Sequence, residues 1–254
     1  RVEKTNATDS FKVYGRGELQ LAILIEQMRR EGFELLVSKP RVVMKEIDGV
    51  KQEPMENVVF DVPENSVGIV TEKMGTRQGV MTSMVNKRSG RVRIEFLIPS
   101  RGLIGYRSEF LTDTKGTGLM NTLFAGYEPY KGDIQGRMNG ALIADRMGES
   151  VAYGLFHLEP RGRLFIPAGM ACYEGMIIGE HAKDNDLDVN CSREKKLTNM
   201  RSSGADEAVK LTPPVDMTLE KAMEWINDDE LIEVTPQNIR LRKRFLSPHD
   251  RKKA

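Results

Sequence analysis

The sequence predicts an α+β protein built of several small modules, and three observations carry that class. A layout of strand, proline, helix, glycine and strand occurs twice between residues 48 and 127. The stretch after it is a series of short strands separated by turn signals. One strongly periodic helix stands near the start, between strand patterns.

In residues 1–47, SFKVYG alternates as a strand and is broken by Gly15 and Gly17. ELQLAILIEQMRREG then sets Leu21, Leu24, Ile25 and Met28 at helical spacing, with Arg29 and Arg30 near the end and Gly32 as a stop. FELLVS and RVVMKEI follow as strands, split by Pro40. This is too little for a closed core, so it reads as the later part of a small α+β domain. The chain opens on Arg1, not Met, and reads as a piece of a longer polypeptide.

In residues 48–127, two apolar strands each run into a proline, Pro63 and Pro99. A glycine-containing helix follows each, and Gly79 and Gly116 each open another strand. Proline suits a first helical turn because its missing N–H would be unpaired there anyway. Two such units predict a ferredoxin-like split βαβ module, a four-stranded antiparallel sheet with two helices on one face.

Residues 128–254 read as a β-rich domain with GALIADR, SVAYGLFHL, GRLFIPAG and MIIGEHA as strands. PPVDMTLEKAMEWIND is one short helix capped by Asp216 or Thr218. ELIEV and IRLRKRFL close as a hairpin around TPQN, and SPHDRKKA is expected to fray.

A long polar loop interrupts this domain. Residues 193–211, REKKLTNMRSSGADEAVKL, hold five basic and three acidic side chains. Before Ala208 their apolar residues fit neither a helical nor a strand period. With so little to bury, the loop is expected to be mobile in the free chain.

The whole chain carries a net charge of only +1, so a nucleic-acid role must rest on local patches. There are three. The loop is one. From Arg77 to Arg93 stand five basic residues and no acidic one, and from Arg240 to Lys253 seven basic and one acidic. Together they favour phosphate contact, because each neutralised phosphate releases counterions. Aromatic residues make up 6% of the chain and none lies in the loop. That argues against base stacking and for recognition of a folded RNA by shape and backbone.

Other chemistries are poorly supported. No apolar run approaches a bilayer span of about 20 residues. Cys172 and Cys191 match no metal or redox spacing and read as two reduced thiols. DNDLDVNCSREK alternates Asp184, Asp186 and Asp188 like a calcium loop, yet Lys195 stands where that loop needs a bidentate glutamate. The phosphate-cradling G-x-x-x-x-G-K-[ST] loop is absent. DIQG and NKRS match GTPase motifs over four residues only.

Two stretches carry a family resemblance. GRGELQLAILIEQMRREGFELLVSKPRVVMKE resembles the third domain of the elongation-factor-G class of translational GTPases, and residues 48–127, with GYRSEFLTDTKGTG, resemble the fifth domain of that class. EGMIIGEHAKDNDLDVN, KKLTNMRSSGADEAVKL and IRLRKRFL resemble a C-terminal domain peculiar to one ribosome-associated branch of it. The resemblance implies a cytoplasmic GTPase of large-subunit assembly and of growth under stress, including cold. It implies that GTP and Mg belong to a domain preceding Arg1, and that these residues hold no catalytic group and no cofactor of their own. The implied partner is the ribosome, through large-subunit RNA near the factor-binding and A-site regions and the tRNA acceptor end, with the chain a monomer away from any membrane. RNA contact is carried onto Arg193, Lys195, Lys196, Asn199, Arg201 and Ser202 of the loop and onto Lys87, Arg88 and Arg91. Arg242, Lys243 and Arg244 are the candidates of the third basic segment.

Two rival readings stay open at this level. One is an enzyme whose site would draw on His157, Cys172 and His181 of the β-rich domain. The other is a module that docks on ribosomal proteins through sheet edges.

Overall fold

A computed structural model describes residues 1–254 apart from 7, 8, 88, 135, 196–209 and 254. The chain forms two units, residues 1–39 with 137–254, and residues 40–136. The divisions thus fall at 39 and 136, against the 47 and 127 expected from sequence.

The first unit begins with a small antiparallel pair, β1 (Val2–Lys4) and β2 (Phe11–Val13). Helix α1 (Glu18–Arg30) follows, with Ala22 and Ile25 buried on one face. Glu18 in its first turn and Arg29 and Arg30 in its last complement the helix dipole. Glu26 ties down both arginines, at 2.8 Å and 3.0 Å. Gly32, at φ +94°, ends the helix, and the amide of Phe33 reaches back to the Met28 carbonyl. That is a Schellman stop, and its left-handed residue favours glycine. Strand β3 (Leu35–Ser38) then leaves to join the sheet of the C-terminal domain. So α1 and β3, expected in a module of their own, help to close the core of residues 137–254.

The second unit opens with β4 (Lys45–Ile47), which turns at Asp48 and Gly49 into β5 (Val50–Pro63). The expected strand over RVVMKEI is only this three-residue end. Its reason is competition: from Met55 onward the same edge of β5 is taken by β7, leaving residues 41–44 no ladder partner. After β5 come α2 (Val67–Thr76), β6 (Val80–Asn86), β7 (Arg91–Pro99), α3 (Tyr106–Asp113) and β8 (Leu119–Pro129). The four long strands run antiparallel in the order β8-β5-β7-β6, the expected split βαβ arrangement. Period-2 alternation turns Val58, Phe60 and Val62 of β5 and Val92, Ile94, Phe96 and Ile98 of β7 to the buried side. Val70 and Met74 of α2 and Tyr106 and Phe110 of α3 close that core. Phe60 sits at its centre, edge-on to Phe96 and Tyr106, both at 6.0 Å between ring centroids.

The first unit resumes with β9 (Ala141–Ala144), β10 (Gly148–Glu149), α4 (Ala152–Phe156), β11 (Gly162–Leu164), β12 (Ala171–Cys172), β13 (Met176–His181) and β14 (Leu187–Val189). Then come α5 (Leu219–Trp225), β15 (Glu230–Val234), β16 (Ile239–Lys243) and α6 (Pro248–Lys253). The main sheet runs β14-β9-β13-β16-β15-β3, with β11 also on β13. One core cluster joins Ala22 and Ile25 of α1 to Leu219, Ala222 and Met223 of α5 and to Ile232, Val234 and Leu241 of the hairpin. Thr218 is the cap of α5, its hydroxyl accepting from the Lys221 amide.

Two expectations differ here. SVAYGLFHL holds the helix α4, not a strand, because Leu155 and Leu158 are buried at helical spacing and the Leu155 amide bonds the Val151 carbonyl. SPHDRKKA is not frayed over Pro248–Lys253: proline opens α6 and Arg251 pairs with Asp188.

Candidate nucleic-acid interface

The segment that carries the basic loop is tied to the domain at both roots. On the incoming side the Val151 amide donates to the Cys191 carbonyl at 3.0 Å. Gly154 makes this approach sterically possible, since a Cβ there would stand 2.5 Å from the Cys191 oxygen. On the outgoing side the Thr212 amide donates to the Glu159 carboxylate, and the Val215 amide to the Leu164 carbonyl at 2.8 Å. Both roots are thus fastened to α4 and the turn that follows it. Arg193 and Lys195 stand exposed at the incoming root. Lys196, Asn199, Arg201 and Ser202, and the expected mobility of the loop, lie outside the described residues.

The cations expected in the split βαβ unit are mostly committed to their own fold. Asp61 of β5 receives Lys87 at 2.6 Å and also pairs with Arg91. These bonds, Lys87 first, hold its carboxyl below the usual aspartate range. Arg91 spends further donors on the Asp61 and Thr117 carbonyls, stitching β5 and β7 to the start of β8. Lys87 has the one carboxylate and remains 45% exposed, so its charge faces water. Arg88 lies outside the described residues.

At the end of β16 the candidates Arg242 and Lys243, and Arg244 just beyond the strand, point to different sides. Arg242 is half-buried and Arg244 exposed; both donate to backbone carbonyls and make no ion pair among the described residues. Lys243 turns the other way and is 2% exposed. Its ammonium meets Asp186 at 2.6 Å, Asp229 at 2.8 Å and Glu230 at 2.9 Å. It cannot reach RNA and is withdrawn from the interface. Burial alone would lower the Lys243 pKa, but Glu230 and the two aspartates outweigh it and raise it. Asp186 is the mirror case: burial would raise its pKa, yet Lys243 and the Ala141 amide hold it down. These three carboxylates lie close enough to hold a metal ion, and the lysine ammonium already supplies the cation at that point. Arg137 closes the group from the other side, bonding both oxygens of Glu230 while its guanidinium lies 3.5 Å over the Trp225 ring.

The residues of the calcium-like pattern are used the same way. Asp186 holds Lys243, and Asp188 holds Arg251. The three residues of the enzyme reading have separate partners. His157 lies tilted against Tyr153 with ring centroids 4.4 Å apart, the His181 Nδ1 meets the Asn185 carbonyl at 2.6 Å, and the Cys172 thiol meets the Met170 carbonyl. Cys172 and Cys191 are less unrelated than their spacing suggests: both are buried in one hydrophobic cluster. The neighbouring Cys191 thiol and burial push the Cys172 thiol above its ordinary range. Sequence reasoning does not find Arg161 and Arg163. Both are exposed and make no ion pair among the described residues. Their only signal is their position after α4, a segment whose sequence reads as a strand.

Comparison with known proteins fits this architecture. Residues 50–138 match the family model for the elongation factor G C-terminus, and residues 139–248 that for the TypA/BipA C-terminal domain. The chain is 56% identical over its whole length to "Large ribosomal subunit assembly factor BipA" of Escherichia coli K12, 54% to that of Haemophilus influenzae and 51% to that of Buchnera aphidicola. It spans 42% of the length of the Escherichia coli relative. A crystal structure from Thermus thermophilus overlaps 32% of this chain and 12% of that chain, at 21% identity and a TM-score of 0.31, too low to support an argument. Residues 50–138 are thus similar to the elongation factor G C-terminus, and residues 139–248, directly after them, to the TypA/BipA C-terminal domain.

Proposed function

We propose that this chain is a ribosome-binding portion of a large-subunit assembly factor, the role named for its relatives. The carrying observation is the cationic segment from Arg193, whose two roots are fastened to a TypA/BipA C-terminal domain. Arg193 and Lys195, with the loop residues beyond them, contact phosphates of ribosomal RNA or of a tRNA acceptor end in the A-site region. Arg242, Arg244 and Lys87 add weaker contacts, each worth little alone and additive in the field they set up. Hydrolysis of GTP, with its Mg, is assigned to residues other than these, because the chain lacks a phosphate-cradling loop. The complex forms in the cytoplasm with a monomeric chain.

Cosedimentation with purified ribosomes tests this reading. Replacing Arg193, Lys195, Lys196 and Arg201 by alanine should leave most of the protein in the supernatant at physiological salt. If the neutralised protein pellets as the parent does, the loop has no role. If nuclease-treated ribosomal proteins still retain the parent, the protein-docking reading replaces this one.

A further inference from the structure

We propose that α4 carries a stacking platform for an unpaired RNA base, built from Tyr153, Phe156 and His157 beside the exposed arginines Arg161 and Arg193. The inference rests on the RNA-binding reading above and names a second kind of contact within it.

On a helix, positions three and four apart share a face. Tyr153, Phe156 and His157 therefore stand together, while Gly154, Leu155 and Leu158 turn inward and are buried. The Tyr153 and His157 ring centroids lie 4.4 Å apart, and those of Phe156 and His157 5.8 Å apart. Phe156 is 45% exposed and His157 is exposed, so both side chains reach solvent. A benzyl group of this size ordinarily gains by burial, and here it is displayed.

The surroundings favour a nucleic acid as occupant. Arg161, Arg163 and Arg193 are exposed and make no ion pair among the described residues. Of the acids beside these arginines, Glu159 accepts from the Thr212 amide, and Glu194 is exposed next to Arg193. Aromatic faces beside unpaired arginines are the combination that holds single strands, with stacking for the base and charge for the backbone. Position supports it as well. Gly154 packs directly on the Cys191 carbonyl and lies close to the Arg193 amide, so the platform and the root of the basic loop are fastened together. The loop itself has no aromatic residue, and the fold supplies the rings from elsewhere in the chain.

The test is equilibrium binding of the whole chain to a short single-stranded oligoadenylate and to a blunt RNA duplex, across a salt series. The variant carries Phe156→Leu and His157→Gln, which keep bulk while removing both rings, and its thermal midpoint is recorded alongside. Affinity for the single strand should fall roughly 5- to 100-fold, the range expected when one base stack is removed. Duplex affinity and the slope of log affinity against log salt should stay as in the parent, because stacking displaces no counterions. Arg193→Ala with Lys195→Ala should weaken both RNAs and flatten the slope. Parental affinity for the single strand in a folded ring variant overturns the platform, as does equal loss on the duplex. Lack of RNA binding by the parent would instead remove the function proposed above. Loss of a protein partner with RNA affinity intact would assign the rings to a protein.

Discussion

Lys243 offers the sharpest separation between surface and core, and replacing it with methionine keeps its length while deleting its charge. Its side chain is 3% exposed and that of Glu230 is 0% exposed, so the ammonium and that carboxylate form a desolvated pair. Removing one member of such a pair leaves a buried charge behind and typically costs about 3–5 kcal/mol. Glu230 would keep Arg137 and the Asn227 amide, and Asp229 is largely in water. The cost should therefore sit at the lower end, about 3 kcal/mol. For a unit of this size, each kcal/mol moves the thermal midpoint by roughly 2–4 °C, so the midpoint should drop by about 6–12 °C. Thermal unfolding followed by circular dichroism reads this directly. Arg244→Met, one residue on and exposed, is the comparison and should stay within about 0.5 kcal/mol of the parent. If Lys243→Met unfolds with the parent and binds RNA less well, the buried network is wrong and the lysine is a surface contact.

Three further outcomes follow from the same structure. Gly154→Ala forces a Cβ against the Cys191 carbonyl and should cost about 1–3 kcal/mol by overpacking while weakening RNA binding, both read on one purified variant. Phe60→Ala, at the centre of the split βαβ core, should cost about 3–5 kcal/mol in denaturant unfolding with no change in the salt slope of RNA binding. Acid titration should destabilise the 137–254 side of the chain: the folded pKa of Asp186 is depressed, so its contribution is present above the usual aspartate value of about 3.9 and is lost as pH falls through the folded value. Lys243, with a raised pKa, contributes fully below its unfolded value and is lost only as alkaline pH passes the folded one, so Lys243→Met should blunt both limbs.

Long periodic elements are readable from sequence. The α1 helix with its glycine stop and the twofold strand–proline–helix layout both stand in the fold, although the buried face of α1 is Ala22 and Ile25, with Leu24 of the expected stripe turned to solvent. Elements decided by distant partners are not. RVVM loses its strand to β7, and α1 and β3 find their core against α5 and β15, some two hundred residues on. The short helix α4 reads as a strand because its buried leucines only make sense against the Cys191 segment that packs on Gly154. Lys243 is different, since the signal is present. Ile239, Leu241 and Lys243 fall on one face of β16 by simple alternation, and that face is the buried one. Counting charge along the segment hides a lysine that alternation places in the core. Of the candidate site, the loop and its Arg193 root are visible as composition, whereas the aromatic face beside them requires the fold.

The central claim is that this chain holds RNA through the phosphates reached from the 193–211 segment. Its most direct test is the salt dependence of affinity for purified large ribosomal subunits between about 50 and 200 mM monovalent salt. The parent should show a steep log–log slope. The protein with Arg193, Lys195, Lys196 and Arg201 as alanine should show a slope smaller in magnitude by roughly one for each phosphate it no longer neutralises. Equal slopes and equal affinities for the two proteins would contradict the account.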